Sequence, residues 1–263
     1  MFTFPYEWRD SNVFTANLLD GNIEEVKSIC GCDKVDIVAH SMGGLAARAY
    51  IQSVDYDGDV DQLIFLGTPH RGSQEAYLAW EAGEFPPGFE NQVKKLYFIN
   101  QALHNGYISV FSYVRNRPIL SVQELLPIFD YLTDKDTNII RQYPDNYPKN
   151  TFLESLNNNI SNLLNSGVDI VNIVGNTGSN TIEKIRVIVS SDLHKWVHGE
   201  PDGFDGQTAD RGLENGNGDG TVTTYGAAID ASIPNEEWNG VSHIRLPRET
   251  SARIFNLLTG NIA

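Results

Sequence analysis

Between Lys34 and Tyr50 a short apolar run, Val35, Ile37 and Val38, gives way to the small and polar residues Ala39-His40-Ser41-Met42-Gly43-Gly44. These lead into a helix-prone segment from Leu45 to Gln52. The run predicts a buried strand, and the segment a helix packed behind it. The same alternation recurs elsewhere. Leu19, Ile23, Val26 and Cys30 fall at helical spacing and predict a helix capped by Ser11 or Asn12 and stopped by Gly31. Val60 to Leu66 predicts the next strand, with Leu63 to Leu66 apolar throughout, as in a parallel strand covered on both faces. Thr151 to Ser166 carries Phe152, Leu156, Ile160 and Leu163 on one face, an amphipathic helix stopped by Gly167. Val168 to Val174 reads as a core strand, Ile185 to Val189 as an added strand or hairpin arm, and Ser242 to Leu246 as a short strand end. Glu249 to Leu258 predicts the closing helix, and Phe2 to Phe4 a short strand ended by Pro5.

From Gln74 to about Lys149 the periodicity breaks down. Pro86-Pro87-Gly88 interrupts it, aromatic residues gather between Tyr77 and Tyr131, and Ser121 to Leu132 predicts a short helix. An insertion of this kind builds a satellite core, and a minority of its aromatic residues can wall an apolar pocket. The chain has 263 residues, 41% of them hydrophobic and 10% aromatic, the composition of one large globular unit and not of a disordered segment. A net charge of −15 argues against nucleic acid or an anionic membrane as partner. It leaves a transient contact with a neutral lipid surface open. No apolar run approaches the ~18 residues of a membrane span, and no signal-peptide pattern opens the sequence. Cys30 and Cys32 form a lone C-x-C without the second pair a zinc site needs, so they read as structural.

Strand, tight turn with small residues around a serine, then helix is the arrangement of a nucleophile elbow. The sharp turn strains the backbone at Ser41. Ala39 and Gly43, two positions to either side, therefore have to be small, and the helix behind aims free N–H groups at the same spot. A serine hydroxyl needs a neighbouring base, and the base an anionic orienter. Behind an elbow of this type the acid and then the histidine follow in chain order. Of His70, His104, His194, His198 and His243, only His243 comes late, just before the final helix. The acid candidates are Asp192, Asp202, Asp205, Asp210 and Asp219. Asp219 lies between Gly218 and Gly220, on a turn where the chain can approach other groups closely. The run Asn215-Gly216-Asn217-Gly218-Asp219 has some flavour of a calcium loop but lacks the EF-hand spacing and its closing glutamate, so no metal and no cofactor is expected. The N–H of Met42, next after the serine, is a candidate oxyanion donor. His40, His70 and Leu126 are candidates to line a substrate pocket. His70 precedes every candidate acid and is not read as the base.

These residues resemble the α/β-hydrolase superfamily, and within it the branch of lipases and lecithin:cholesterol-acyltransferase-like proteins. Beside the elbow, the resemblance is carried by Phe4-Pro5-Tyr6-Glu7-Trp8-Arg9, Gly67-Thr68-Pro69-His70-Arg71-Gly72-Ser73, Gln123-Glu124-Leu125-Leu126-Pro127 and Gly218-Asp219-Gly220-Thr221-Val222. Ala39 stands at the first position of the G-x-S-x-G pattern. The resemblance implies a three-layer α/β fold, a mostly parallel sheet flanked by helices, with a helical cap inserted: core 1–73, cap 74–150, core 151–263. It implies a serine carboxylic-ester hydrolase using Ser41, Asp219 and His243 through an acyl-enzyme, on a lipid or other apolar ester. Acyl transfer to an alcohol is the alternative on the same residues, and so is an impaired chain that only binds a hydrophobic ligand. In that family the third sheet strand, and a His-Gly loop that gives the second oxyanion donor, precede the segment matching Phe4 to Arg9. The resemblance thus implies missing first strands, a gap or irregular pairing with Phe2–Phe4 beside Val35–Val38, a single oxyanion donor, and weak turnover by this chain alone.

Overall fold

A computed structural model describes residues 1–116, 119–192 and 194–260. The chain runs through α1 (Asn12–Cys30), β1 (Val35–His40), α2 (Gly43–Ile51) and β2 (Val60–Leu66). Then come α3 (Glu75–Ala82), α4 (Phe89–His104), α5 (Val110–Asn116), α6 (Leu120–Glu124), β3 (Leu132–Asp134) and β4 (Ile139–Ile140). After these follow α7 (Thr151–Asn158), α8 (Ile160–Leu164), β5 (Asp169–Asn176), β6 (Ser179–Ile188), β7 (Glu200–Pro201) and β8 (Leu213–Asn217). The last elements are β9 (Asn235–Asn239), a 3-10 turn at His243–Arg245, α9 (Leu246–Glu249) and α10 (Ser251–Thr259).

The main sheet has the order β1-β2-β5-β9, every neighbouring pair parallel. Its interior strand β2 is apolar on both faces for a visible reason. Leu63 and Phe65 pack with Ala16, Leu19, Ala47 and Ile51 of α1 and α2. Ile64 and Leu66 pack the other way, with Ile173, Leu246 and the α10 residues Ile254 and Leu257. Successive strand residues point to opposite faces, so one apolar run serves both helical layers, and the three-layer α/β architecture follows. Ser11 caps α1 by accepting from the Phe14 N–H, and Gly31, at φ +66°, ends it between the disulfide-linked Cys30 and Cys32.

Several sequence expectations are corrected. Phe2–Phe4 forms no strand and does not pair with β1. Phe4 is half-buried against the α1 core instead. β1 is an outer strand of the described sheet, with Val38 42% exposed. The expected strand end at Ser242–Leu246 is a 3-10 turn leading into α9, and the fourth strand is β9, sequence NEEWN. A strand at the sheet edge needs its backbone for pairing and covers one face, so polar residues suffice there. The helix expected over Thr151–Ser166 breaks at Asn159. Gln52 Nε2 donates to the carbonyls of Leu156 and Asn159, which competes with continuation of the helix. The helix expected over Ser121–Leu132 stops at Glu124, ahead of Pro127.

The insertion is not purely helical. Beside α3 to α6 it holds β3 and β4, and β3 pairs in parallel with β6, which also carries β7 and β8 in a second sheet. Its aromatic residues build satellite cores, one around Tyr77 and Tyr131, joined by Trp196 from the later part of the chain, another around Phe98 and Tyr113.

Candidate active site

β1 ends at His40, and the Ser41 N–H still donates to the Leu66 carbonyl at 2.9 Å. The chain then turns so sharply that Ser41 has φ +54°, a left-handed value costly for a residue with a side chain. Gly44 lets the elbow form. A β-carbon there would lie 2.0 Å from Thr68 Oγ1 and 2.8 Å from Phe65 Cδ1, so only glycine lets α2 start this close to β2. Ser41 itself remains half-buried, reachable from the cleft.

Asp219 follows β8 on a turn that its own side chain clamps. Oδ1 accepts from the Thr221 and Val222 N–H groups at 3.0 and 2.8 Å, which leaves Oδ2 to meet His243 Nδ1 at 2.7 Å. The His243 N–H donates to the Asp219 carbonyl at 2.9 Å, so backbone and ring register together. The other ring nitrogen, Nε2, lies 2.8 Å from Ser41 Oγ. A carboxylate only accepts, so Nδ1 carries the proton and Nε2 is free to accept from the serine hydroxyl. Asp219 and His243 are 3% and 6% exposed, which keeps water from competing for these bonds. Gly175 makes the approach of the two loops sterically feasible: a β-carbon on it would lie 2.3 Å from the Val241 carbonyl oxygen and 2.9 Å from Asp219 Cβ.

The remaining candidates separate clearly. His40 is half-buried and its Nε2 donates to the His243 carbonyl at 2.9 Å, with the two rings 4.7 Å apart. Burial and the neighbouring His243 lower its pKa, so it stays a neutral donor. It therefore touches the histidine loop, a contact the sequence did not suggest. The Met42 N–H donates to no other group among the described residues. His70 and Leu126, expected to line a pocket, are both fully buried and offer no surface to a substrate. Leu126 packs in the satellite core with Tyr77 and Tyr131, and its carbonyl accepts from Asn150 Nδ2. Of the other acids, Asp202 and Asp210 bind Arg186, and Asp192 and Asp205 lie on the surface. Gly175 is a further residue the sequence reading passed over. A glycine inside an apolar strand was the available signal, since it marks a close backbone approach.

At the first position of α3, Glu75 faces Lys94 of α4 at 3.6 Å, and burial raises its pKa despite that lysine. A separate cavity of about 380 Å³, walled by Ile128, Phe129, Tyr143 and Tyr225 among others, includes none of Ser41, Asp219 or His243 in its lining.

The palmitoyl protein thioesterase family model matches residues 15–169. The chain belongs to the palmitoyl protein thioesterase family. As an α/β-hydrolase of that family it is an ester hydrolase by type. The stretch of this thioesterase-family chain that matches begins inside α1, holds the elbow and β2, and ends at the start of β5. Asp219 and His243 lie beyond it. Solved structures agree on the fold. The mature form of Bacillus licheniformis lipase BlEst2 aligns over 96% of this chain and 76% of its own, at 17% identity and TM-score 0.50. A chain of the Tle4-Tli4 complex aligns over 96% of this chain and 66% of its own, at 16% identity and TM-score 0.56. Neither the family match nor these folds singles out the lecithin:cholesterol-acyltransferase-like branch.

Proposed function

We propose that this protein cleaves acyl esters of apolar acids by nucleophilic catalysis, with Ser41 as nucleophile, His243 as general base and acid, and Asp219 as its orienter. The observation that carries this is the single histidine ring lying 2.8 Å from Ser41 Oγ on one side and 2.7 Å from Asp219 Oδ2 on the other. In the first half-reaction Oγ adds to the acyl carbon while His243 Nε2 takes its proton. The leaving group then departs with the His243 proton, taken directly as an alcohol or, for a thiolate, released to solvent, and the acyl group stays on Ser41. Nε2, neutral again, takes a proton from the attacking water and gives it to Ser41 Oγ as the acid is released. The imidazolium formed in each half is stabilised by the buried Asp219 carboxylate.

The family match favours a thioester over an oxygen ester as substrate. A thiolate is a good leaving group and asks less of His243 as acid, so the same three residues serve either bond. An alkyl fluorophosphonate should label the protein at Ser41, read by peptide mass, and Ser41→Ala should remain unlabelled. Equal labelling of the variant would refute the assignment. Turnover of matched acyl-thioester and acyl-ester series, from acetyl to palmitoyl, then reads the substrate class. Rates rising with chain length and higher for thioesters are expected.

A further inference from the structure

An addition to a carbonyl throws negative charge onto the carbonyl oxygen, and so far only the Met42 N–H is assigned to receive it. The segment Phe4–Arg9 passes the site between two anchors. At one end Phe4 packs on the α1 core and stacks on Tyr6, ring centroids 5.9 Å apart and planes 22° from parallel. At the other end Trp8 meets Phe98 of α4 edge-on at 5.6 Å, and Arg9 donates to Gln101 Oε1 at 3.1 Å and to the Tyr113 hydroxyl at 3.3 Å. Tyr6 sits between them. Its hydroxyl oxygen lies 3.7 Å from the place a β-carbon on Gly43 would occupy. Gly43 is the first residue of α2, and β-carbons on a helix tilt toward its N-terminus. The hydroxyl is therefore at the N-terminal mouth of α2, where the helix leaves its first N–H groups free, next to the turn that carries Ser41. No hydrogen-bond partner holds it among the described residues. Burial raises the pKa of the phenol, so it remains a donor throughout the range in which His243 works.

We propose that the Tyr6 hydroxyl is the second oxyanion donor, completing with the Met42 N–H the pair that stabilises the tetrahedral intermediate. This rests on the serine-hydrolase function proposed above. As Ser41 Oγ bonds to the acyl carbon, the carbonyl π electrons move onto oxygen and the serine proton moves to His243. Tyr6 shares its proton in a hydrogen bond and keeps it. On collapse the double bond re-forms, the leaving group departs, and the Tyr6 bond relaxes. The donor comes from the Phe4–Arg9 segment. It is a side-chain hydroxyl and not a backbone N–H, which makes it removable by a single substitution.

The test is Tyr6→Phe in the full chain, which deletes one oxygen and keeps the ring that Phe4 stacks on. Loss of one oxyanion donor costs about 10²–10³ in kcat. An interaction made only in the transition state lowers kcat and kcat/KM together and leaves KM unchanged. An alkyl trifluoromethyl ketone, which forms a tetrahedral oxyanion adduct on the serine, should bind Tyr6→Phe more weakly by a similar factor, with the thermal midpoint unmoved. Wild-type kcat in Tyr6→Phe overturns the proposal. So does lost turnover with undiminished ketone affinity, because that pattern belongs to a structural role. Fluorophosphonate labelling of the wild type separates the two levels. If Ser41 of the wild type does not label, the hydrolase function itself fails. If it labels and Tyr6→Phe turns over normally, only the role of Tyr6 fails.

Discussion

The fold buries two histidines behind the same elbow and gives them opposite surroundings. His243 lies between a hydroxyl and a carboxylate, Ser41 Oγ at 2.8 Å and Asp219 Oδ2 at 2.7 Å. His70 lies between a guanidinium and an amide, Arg48 Nη1 at 3.3 Å and Asn172 Oδ1 at 3.4 Å, with Phe65 edge-on to its ring at 4.6 Å. The donors dictate the tautomers. Arg48 can only donate, so His70 Nδ1 is bare and Nε2 donates to Asn172, the reverse of His243. Burial and Arg48 then hold the His70 pKa well below the usual histidine range. The carboxylate beside one ring holds its Nδ1–H and aims Nε2 at the serine, and the cation beside the other keeps that ring from taking up a proton. Both rings are rigidly held, so rigidity alone does not mark a base; the charge of the neighbouring group is what separates the proposed base from His70.

Arg48 makes the second site unusual. It is fully buried, with burial lowering its pKa to about 9, and its partners are all neutral: Gln52, His70, the Leu156 carbonyl and Asn157. Those partners sit at the C-terminal end of α2, on α7 and on the turn after β2, so this cation ties the elbow helix to the loop that follows the next strand. The network is structural, whereas the His243 network is the one proposed to carry the chemistry.

The sharpest way to break the comparison is Asp219→Asn. It preserves shape and removes the charge that favours the imidazolium, and kcat should fall by about 10⁴-fold. The thermal midpoint should move little. A variant that kept a tenth of its activity would show that the charge is not what distinguishes the two rings. Next is Arg48→Met, which leaves His70 Nδ1 and the Gln52 and Asn157 side-chain oxygens short of a donor. Each buried unsatisfied group costs about 1–3 kcal/mol, so urea unfolding should show a loss of at least ~2 kcal/mol. Fluorophosphonate labelling per folded molecule should persist. The smallest effect is a pH slope. Native His70 is neutral, whereas an unfolded histidine takes up a proton below the ordinary value of 6.5. The unfolded chain then binds more protons, and stability falls as pH falls below that value, by up to about 1.4 kcal/mol per pH unit for one proton. His40, also lowered, adds to the slope in the same window. His70→Gln should therefore be less stable than the parent at pH 7.5 but lose less on acidification to pH 5.5. Parallel stability curves for the two proteins would mean that His70 is charged in the native state.

How much of this was legible in the sequence depended on which residue types the physics left free. The elbow was readable because strain and close packing leave only small residues around Ser41, and β2 was readable because two helical layers demand apolar residues on both its faces. The order of serine, acid and histidine selected Asp219 and His243 from several rivals. β9 was invisible, since a strand held by backbone bonds on one edge can be written in asparagine and glutamate. The Arg48–His70 network was hidden because its members, on α2, on the turn after β2, on β5 and on α7, are far apart in the chain. His70 looked like a cleft residue for its position after a strand, and only packing showed it to be sealed beneath.

The parallel pairing of β3 with β6 bears on how this protein can be recombined with its relatives. A chimera with crossovers at 73/74 and 150/151 would import foreign β3 and β4 and strand the native β6, β7 and β8 without their neighbours. The exchangeable module is discontinuous, residues 74–150 together with 179–217, and it closes against the acid-bearing turn because β8 ends at Asn217 and Asp219 follows directly. A graft of both pieces should carry its own interior intact, and its last junction would have to fall at Gly218.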